Sequence, residues 1–187
     1  MLEAITELLG ALNQLGIRFY AGGSVASSIH GVARFTQDLD LVADIPPSRL
    51  GELAAMPSPR FYADEEQMRQ GLRFGRSFKV IHLASGFKVD LYPLPNDEFH
   101  RSELARASPR RWIIDPAYSV ELPVASPEDT LLSKLESYRR GGEASDRQWA
   151  DILGVARTQR LDYLYMEEWA GQLGVASLLQ RLRAECG

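Results

Sequence analysis

The stretch from Gly22 to Val42 constrains this chain more than any other. A short apolar run, Ile17-Arg18-Phe19-Tyr20-Ala21, leads into Gly22-Gly23-Ser24. Small residues with helical character follow over 24–32, and then Arg34-Phe35-Thr36-Gln37-Asp38-Leu39-Asp40-Leu41-Val42. Residues i and i+2 of a strand share one face. Asp38 and Asp40 therefore stand together, with Leu39 and Leu41 on the opposite face. Two carboxylates so placed repel unless a cation lies between them, and a hard cation such as Mg²⁺ accounts for the pair. A Gly-Gly-Ser turn between strand and helix lets the backbone approach a ligand, and the N–H groups opening the helix favour an anion. Together these pieces imply phosphoryl or nucleotidyl chemistry on a metal-bound nucleotide. A Gly-Gly pair is also an ordinary turn, and an Asp-x-Asp also a solvated one. The order and spacing of all the pieces carry the reading.

The chain of 187 residues is 45% hydrophobic and 25% charged, enough for one good core with an appendage. Its formal net charge of -4 and pI near 5.4 supply no global attraction to nucleic acid. The single cysteine, Cys186, cannot form an internal disulfide, and one Cys with three scattered His builds no Cys/His metal cluster. The N-terminus lacks a basic signal-like region and no apolar run approaches ~18 residues, so a cytoplasmic protein without a membrane span is expected.

Apolar spacing predicts a helix over 2–15, ended by Gly16, then a strand over 17–21. A second strand spans 38–43, and Ser48 is placed to cap a helix running to residue 55. Residues 64–72 read as an exposed helix, and 77–83 with 87–92 as a hairpin. Residues 99–107 read as a helix, with weaker strands at 111–114 and 118–124. Ser126-Pro127-Glu128-Asp129 gives an N-cap, a proline at the first helical position and an acidic first turn. Beyond it only helices are expected, over 127–140, 145–157, 162–172 and 175–184. The organisation is thus an α/β part over 1–124 and a helical part over 125–187.

In the strand Phe87-Lys88-Val89-Asp90-Leu91-Tyr92, Asp90 falls among apolar residues. If this strand lies beside that of Asp38 and Asp40, a three-carboxylate cluster results. Such a cluster can hold two Mg²⁺ ions ~3.5–4 Å apart for in-line phosphoryl displacement. An Asp at a strand end satisfied by a turn is the plainer alternative.

These residues, Gly22-Gly23-Ser24, Arg34-x-Thr36-x-Asp38-x-Asp40 and Lys88-Val89-Asp90, resemble the motif of the polymerase-beta-type nucleotidyltransferase superfamily. The segments around Ser126 to Glu136 and Gly141 to Ile152 resemble helices of small bacterial nucleotidyltransferases of the abortive-infection toxin type. Aminoglycoside nucleotidyltransferases carry a similar pattern. The resemblance implies an α+β fold, a polymerase-beta-like mixed sheet flanked by helices and followed by a C-terminal helical subdomain closing the cleft. It implies transfer of a nucleoside monophosphate from an NTP such as ATP to a hydroxyl, with release of pyrophosphate. The acceptor could be an RNA or tRNA end, a protein side chain or a small molecule such as an aminoglycoside. A non-catalytic, antitoxin-like or nucleotide-binding module on the same fold is the rival reading, and three filled aspartate positions weigh against it.

The implied roles are metal binding by Asp38, Asp40 and Asp90, to two Mg²⁺ or alternatively Mn²⁺ ions. Asp90 is also a candidate general base. Gly22, Gly23 and Ser24 would hold the β- and γ-phosphates. Arg34 and Thr36 either order the loop by hydrogen bonds or touch substrate. Lys134 lies at the edge of the stripe Leu131, Leu135 and Tyr138. It either snorkels to water or points into the cleft, and the resemblance assigns it to the triphosphate. Arg69, Arg73, Arg76 and Lys79 form one basic run, and Arg101, Arg106, Arg110 and Arg111 a second. Each is either a solvated face or a phosphate contact.

Overall fold

The computed structural model describes residues 2–33, 36, 38–55 and 60–187. Among them, α1 (Leu2–Gln14) precedes β1 (Arg18–Ala21), α2 (Gly23–His30) and β2 (Asp38–Asp44). A 3₁₀ turn at Pro47–Arg49 runs into α3 (Leu50–Ala55), followed by β3 (Phe61–Tyr62), α4 (Glu65–Phe74), β4 (Phe78–His82) and β5 (Lys88–Pro93). Then come α5 (Glu98–Arg106), β6 (Ser108–Asp115) and β7 (Tyr118–Val124), and finally α6 (Pro127–Arg140), α7 (Asp146–Thr158), α8 (Tyr163–Ala170) and α9 (Ala176–Cys186).

The strands form one mixed sheet in the order β3-β4-β5-β2-β1-β7-β6. β2 is antiparallel to β1 and parallel to β5. Alternation along β2 divides its side chains. Leu39, Leu41 and Ala43 are fully buried, against Leu8, Leu12 and Leu91 of one apolar cluster. Asp38, Asp40 and Val42 take the other face. Burying a leucine contributes about 1.5–3 kcal/mol, so this cluster holds β2 in register and thereby aims the aspartates. A one-residue slip would turn them into the core.

α1 presents Ile5, Leu8, Leu9 and Leu12 to that cluster and ends at Gly16, whose φ of +66° suits the left-handed turn. A second cluster lies in the helical part. Leu131, Leu135 and Tyr138 of α6 meet Trp149 and Ile152 of α7, Met166 of α8 and Leu182 of α9. Phe99 of α5 belongs to this cluster although it precedes residue 125. Arg106 of α5 strengthens the junction, 3.1 Å from both Glu128 and the fully buried Asp129, with its guanidinium over the Tyr165 ring.

The expected elements are present, with three differences. β3, a two-residue strand, carries too little periodicity to announce itself. Ser48 falls inside the 3₁₀ turn, and the turn's start carries no side-chain cap. β6 is longer than expected, because its antiparallel pairing with β7 continues through Pro109 and two arginines.

Candidate functional site

Register decides the site. In the parallel pair β2/β5, Asp40 is the direct partner of Asp90, and Asp38 of Lys88. All three aspartates therefore emerge on one face. Across β1, Tyr20 pairs with Val42 and joins the same face. The β5 strand thus lies where the sequence reading needed it.

The Gly22–Ser24 turn closes directly onto Asp40. The Gly22 N–H donates to the Asp40 carbonyl at 3.1 Å, and the Ser24 N–H donates to the Asp40 carboxylate. Gly23 has a φ of +52°, and a Cβ there would overlap Oδ2 of Asp40. Glycine is required on both counts. Burial raises the Asp40 carboxyl above its ordinary range, and Asp90 and Asp38 push the same way; the Ser24 N–H and the Lys134 charge oppose them.

Asp90 is 14% exposed, and Lys79 Nζ on β4 lies 3.2 Å from its Oδ1. Thr36 is buried, shares a 2.8 Å hydrogen bond with the Ser24 hydroxyl, and donates to the Asp38 carbonyl at 3.1 Å. It thus ties the glycine turn to the start of β2. Arg34 lies outside the described residues.

The turn, Asp40 and Tyr92 form one wall of a cleft of about 720 Å³. Lys134, Arg140 and Arg147 line the other, on α6 and α7. Lys134 points into this cleft, is mostly buried, and lies 3.4 Å from Asp151 on α7. The far end of α2 is anchored to the helical part: Thr158 and Gln159 both donate to the His30 carbonyl, at 2.6 and 2.7 Å. The His30 ring bonds the Ala125 carbonyl at 2.7 Å and is structural.

Oxygen donors on one face, with Asp90 and Asp38 raising the proton affinity of Asp40, are the chemistry a hard cation takes. The donor set fits magnesium or manganese in kind. Among the described residues, however, no three acidic, histidine or cysteine side chains already converge as a metal-holding group. Asp40 is turned to Ser24 and Asp90 to Lys79.

The sequence reading passed over Glu103. This residue of α5 lines the cleft yet is only 2% exposed. It accepts from the Tyr20 hydroxyl at 2.7 Å and the Ser133 hydroxyl at 3.2 Å. Burial, reinforced by Asp129 and Asp97, raises its carboxyl to about 8 against the bonds from Tyr20 and Ser133. Its i, i+4 spacing from buried Phe99 was the available signal.

The chain has a nucleotidyltransferase fold. The lincomycin-bound crystal structure of the lincosamide antibiotic adenylyltransferase LnuA is similar, with a TM-score of 0.53 at 10% identity over 85% of this chain and 98% of that one. The crystal structure of ANT(2")-Ia in complex with adenylyl-2"-tobramycin is more distant, with a TM-score of 0.46 at 16% identity over 100% of this chain and 98% of that one. A nucleotidyltransferase-like protein from Paracoccidioides brasiliensis gives 0.46 at 17% identity, over 95% and 91%. No family model and no curated protein sequence matches the chain. Among the described residues no helix is long and apolar enough to cross a membrane.

Proposed function

We propose that this protein is a metal-dependent nucleotidyltransferase that moves a nucleoside monophosphate from an NTP to a hydroxyl of a small molecule. The observation that carries the reading is the Asp40–Asp90 register pair, set against a glycine turn and faced across one cleft by Lys134.

Asp38, Asp40 and Asp90 would hold the magnesium or manganese. When bound, such ions neutralise charge at the attacking and leaving oxygens of the in-line displacement. Gly22, Gly23 and Ser24 would hold the β- and γ-phosphates, with the Ser24 N–H turning from the Asp40 carboxylate to a phosphate oxygen. Lys134 offsets triphosphate charge from the opposite wall. Asp90 takes the proton of the acceptor hydroxyl. The acceptor oxygen forms a bond to the α-phosphorus as the bond to the leaving oxygen breaks, and pyrophosphate departs.

Two features support a small acceptor. The cleft volume of about 720 Å³ is that of a small-molecule site. The fold is shared with a protein named as a lincosamide adenylyltransferase. The test is incubation with each α-labelled NTP, Mg²⁺ and either hydroxylated antibiotics, including lincosamides and aminoglycosides, or total RNA. Label on a small product supports the reading; label on RNA alone overturns the acceptor class.

A further inference from the structure

The mechanism above leaves the buried Tyr20–Glu103–Ser133 cluster without a part. It joins three elements, β1, α5 and α6, and Ser133 is the immediate neighbour of Lys134. Ser133 is half-buried and lines the cleft, so its hydroxyl has Glu103 on one side and the cleft on the other. We propose that Ser133 is a further triphosphate-binding residue, and that the proton on Glu103 decides whether its hydroxyl is turned to the cleft as a donor. The proposal rests on the nucleotide-binding reading of that cleft.

A serine hydroxyl has one hydrogen to donate and lone pairs to accept with. With Glu103 ionised, both carboxylate oxygens are acceptors, and Ser133 spends its hydrogen on Oε1, 3.2 Å away. It then offers the cleft only lone pairs, which repel an anion. With Glu103 protonated, the carboxyl O–H donates to Ser133 Oγ, and the serine hydrogen is released toward the cleft beside Lys134. Tyr20 keeps its 2.7 Å bond to Oε2 in both states. Burial pushes the Tyr20 hydroxyl well above its usual range, so it remains a donor.

Charge acts in the same direction. An ionised Glu103 would add a carboxylate to a cleft already holding Asp40. Protonation removes that charge and frees the donor together. Of the groups around Glu103, the Asp129 and Asp97 charges favour the proton, whereas the hydroxyl bonds from Tyr20 and Ser133 oppose it. Tyr20 comes from β1. Asp129 and Glu128 come from α6, both paired with Arg106, and Lys134 lies further along that helix. Tyr165 of α8 bonds Asp129 at 2.6 Å, and Asp97, the N-cap of α5, pairs with His100 one turn before Glu103. Burial and the Asp129 charge outweigh the two hydroxyl bonds and place the Glu103 carboxyl at about 8.

The test is the dissociation constant of Mg²⁺-bound ATP, GTP, CTP and UTP, measured by titration calorimetry on the full chain at about pH 7 and about pH 9.5. For the nucleotide that binds, affinity should fall about tenfold over this range. In Glu103→Gln the amide nitrogen donates permanently to Ser133 while the amide oxygen keeps Tyr20. That variant should hold the affinity of the parent at low pH across the whole range. Ser133→Ala should bind several-fold more weakly than the parent at the lower pH and within about twofold of it at the higher. A parent affinity independent of pH overturns the proposal alone, as does a Ser133→Ala variant matching the parent at the lower pH. No binding of any NTP at millimolar concentration at either pH refutes the nucleotide reading and the proposal with it.

Discussion

Asp40 and Asp90 are register partners on two parallel strands, so their carboxylates leave the sheet side by side. Each is compensated from within the chain: Asp40 by the Ser24 N–H, Asp90 by Lys79 at 3.2 Å. That pairing governs what changes at either position should do.

Asp40→Asn should lower turnover by about 10²–10³-fold, the scale of a lost electrostatic stabiliser. It should not lower stability. The folded-state proton affinity of Asp40 is raised, by burial first and then by Asp90. Its contribution to stability is complete below the ordinary carboxylate range and is lost as pH rises through the raised value. Thermal melting at neutral pH should therefore show the asparagine variant equal to or above the parent. Early melting would make Asp40 a structural residue.

Gly23→Ala combines a left-handed backbone with an overlap on Asp40. The backbone term costs about 1–2 kcal/mol, and the displaced carboxylate should disrupt metal and nucleotide binding together. Chemical denaturation beside NTP titration separates the two effects. Gly22→Ala meets open space and should be milder.

Lys134→Ala should raise the dissociation constant for NTP about tenfold, with metal binding by the aspartates retained. Lys134 also lies against Asp151 at 3.4 Å, so Asp151→Asn serves as the control for that contact. It should leave NTP binding intact or improve it. Unchanged affinity in Lys134→Ala would reduce this residue to packing.

Arg106→Ala should be the most destabilising of these changes. It leaves the fully buried Asp129 without its cation and removes the stack on Tyr165. Breaking one partner of a buried pair costs about 3–5 kcal/mol. Arg106 is partly exposed, so urea unfolding should show a loss near the lower end of that range, with the sheet and helical clusters loosened together.

Glu103→Gln carries a pH signature in stability as well. The folded carboxyl, at about 8, lies above its ordinary 4.5. The stabilisation from the neutral form is complete below the ordinary value and lost as pH passes the folded one. The melting temperature of the variant relative to the parent should therefore rise between about pH 5 and about pH 8. A constant difference would mean that Glu103 is ionised throughout.

The sequence disclosed most where local chemistry and tertiary need agree. Helix α6 was legible to its ends, because Ser126, Pro127 and the acidic first turn coincide with the Leu131–Leu135–Tyr138 stripe. The β1–turn–α2–β2 unit was legible because alternation, paired glycines and an Asp-x-Asp act within one short stretch. Adjacency of β2 and β5 could only be conditional, since parallel pairing is a long-range choice that no local pattern encodes. Glu103 was not noticed because a glutamate in an exposed-looking helix is ordinarily solvated. Only Tyr20 and Ser133, distant in sequence, make its burial tolerable. The bonds of Thr36 to Ser24 and Asp38 likewise depend on where the loop returns.

The most direct test follows the position of the label. The protein is incubated with Mg²⁺, a hydroxylated small-molecule acceptor and the same NTP labelled either at the α- or at the γ-phosphate, with Asp40→Asn in parallel. The expected result is transfer of the α-label to the acceptor, release of the γ-label as pyrophosphate, and both events slowed about 10²–10³-fold in Asp40→Asn. Transfer of the γ-label, or α-label transfer undiminished in Asp40→Asn, would contradict nucleotidyl transfer at the Asp38–Asp40–Asp90 face.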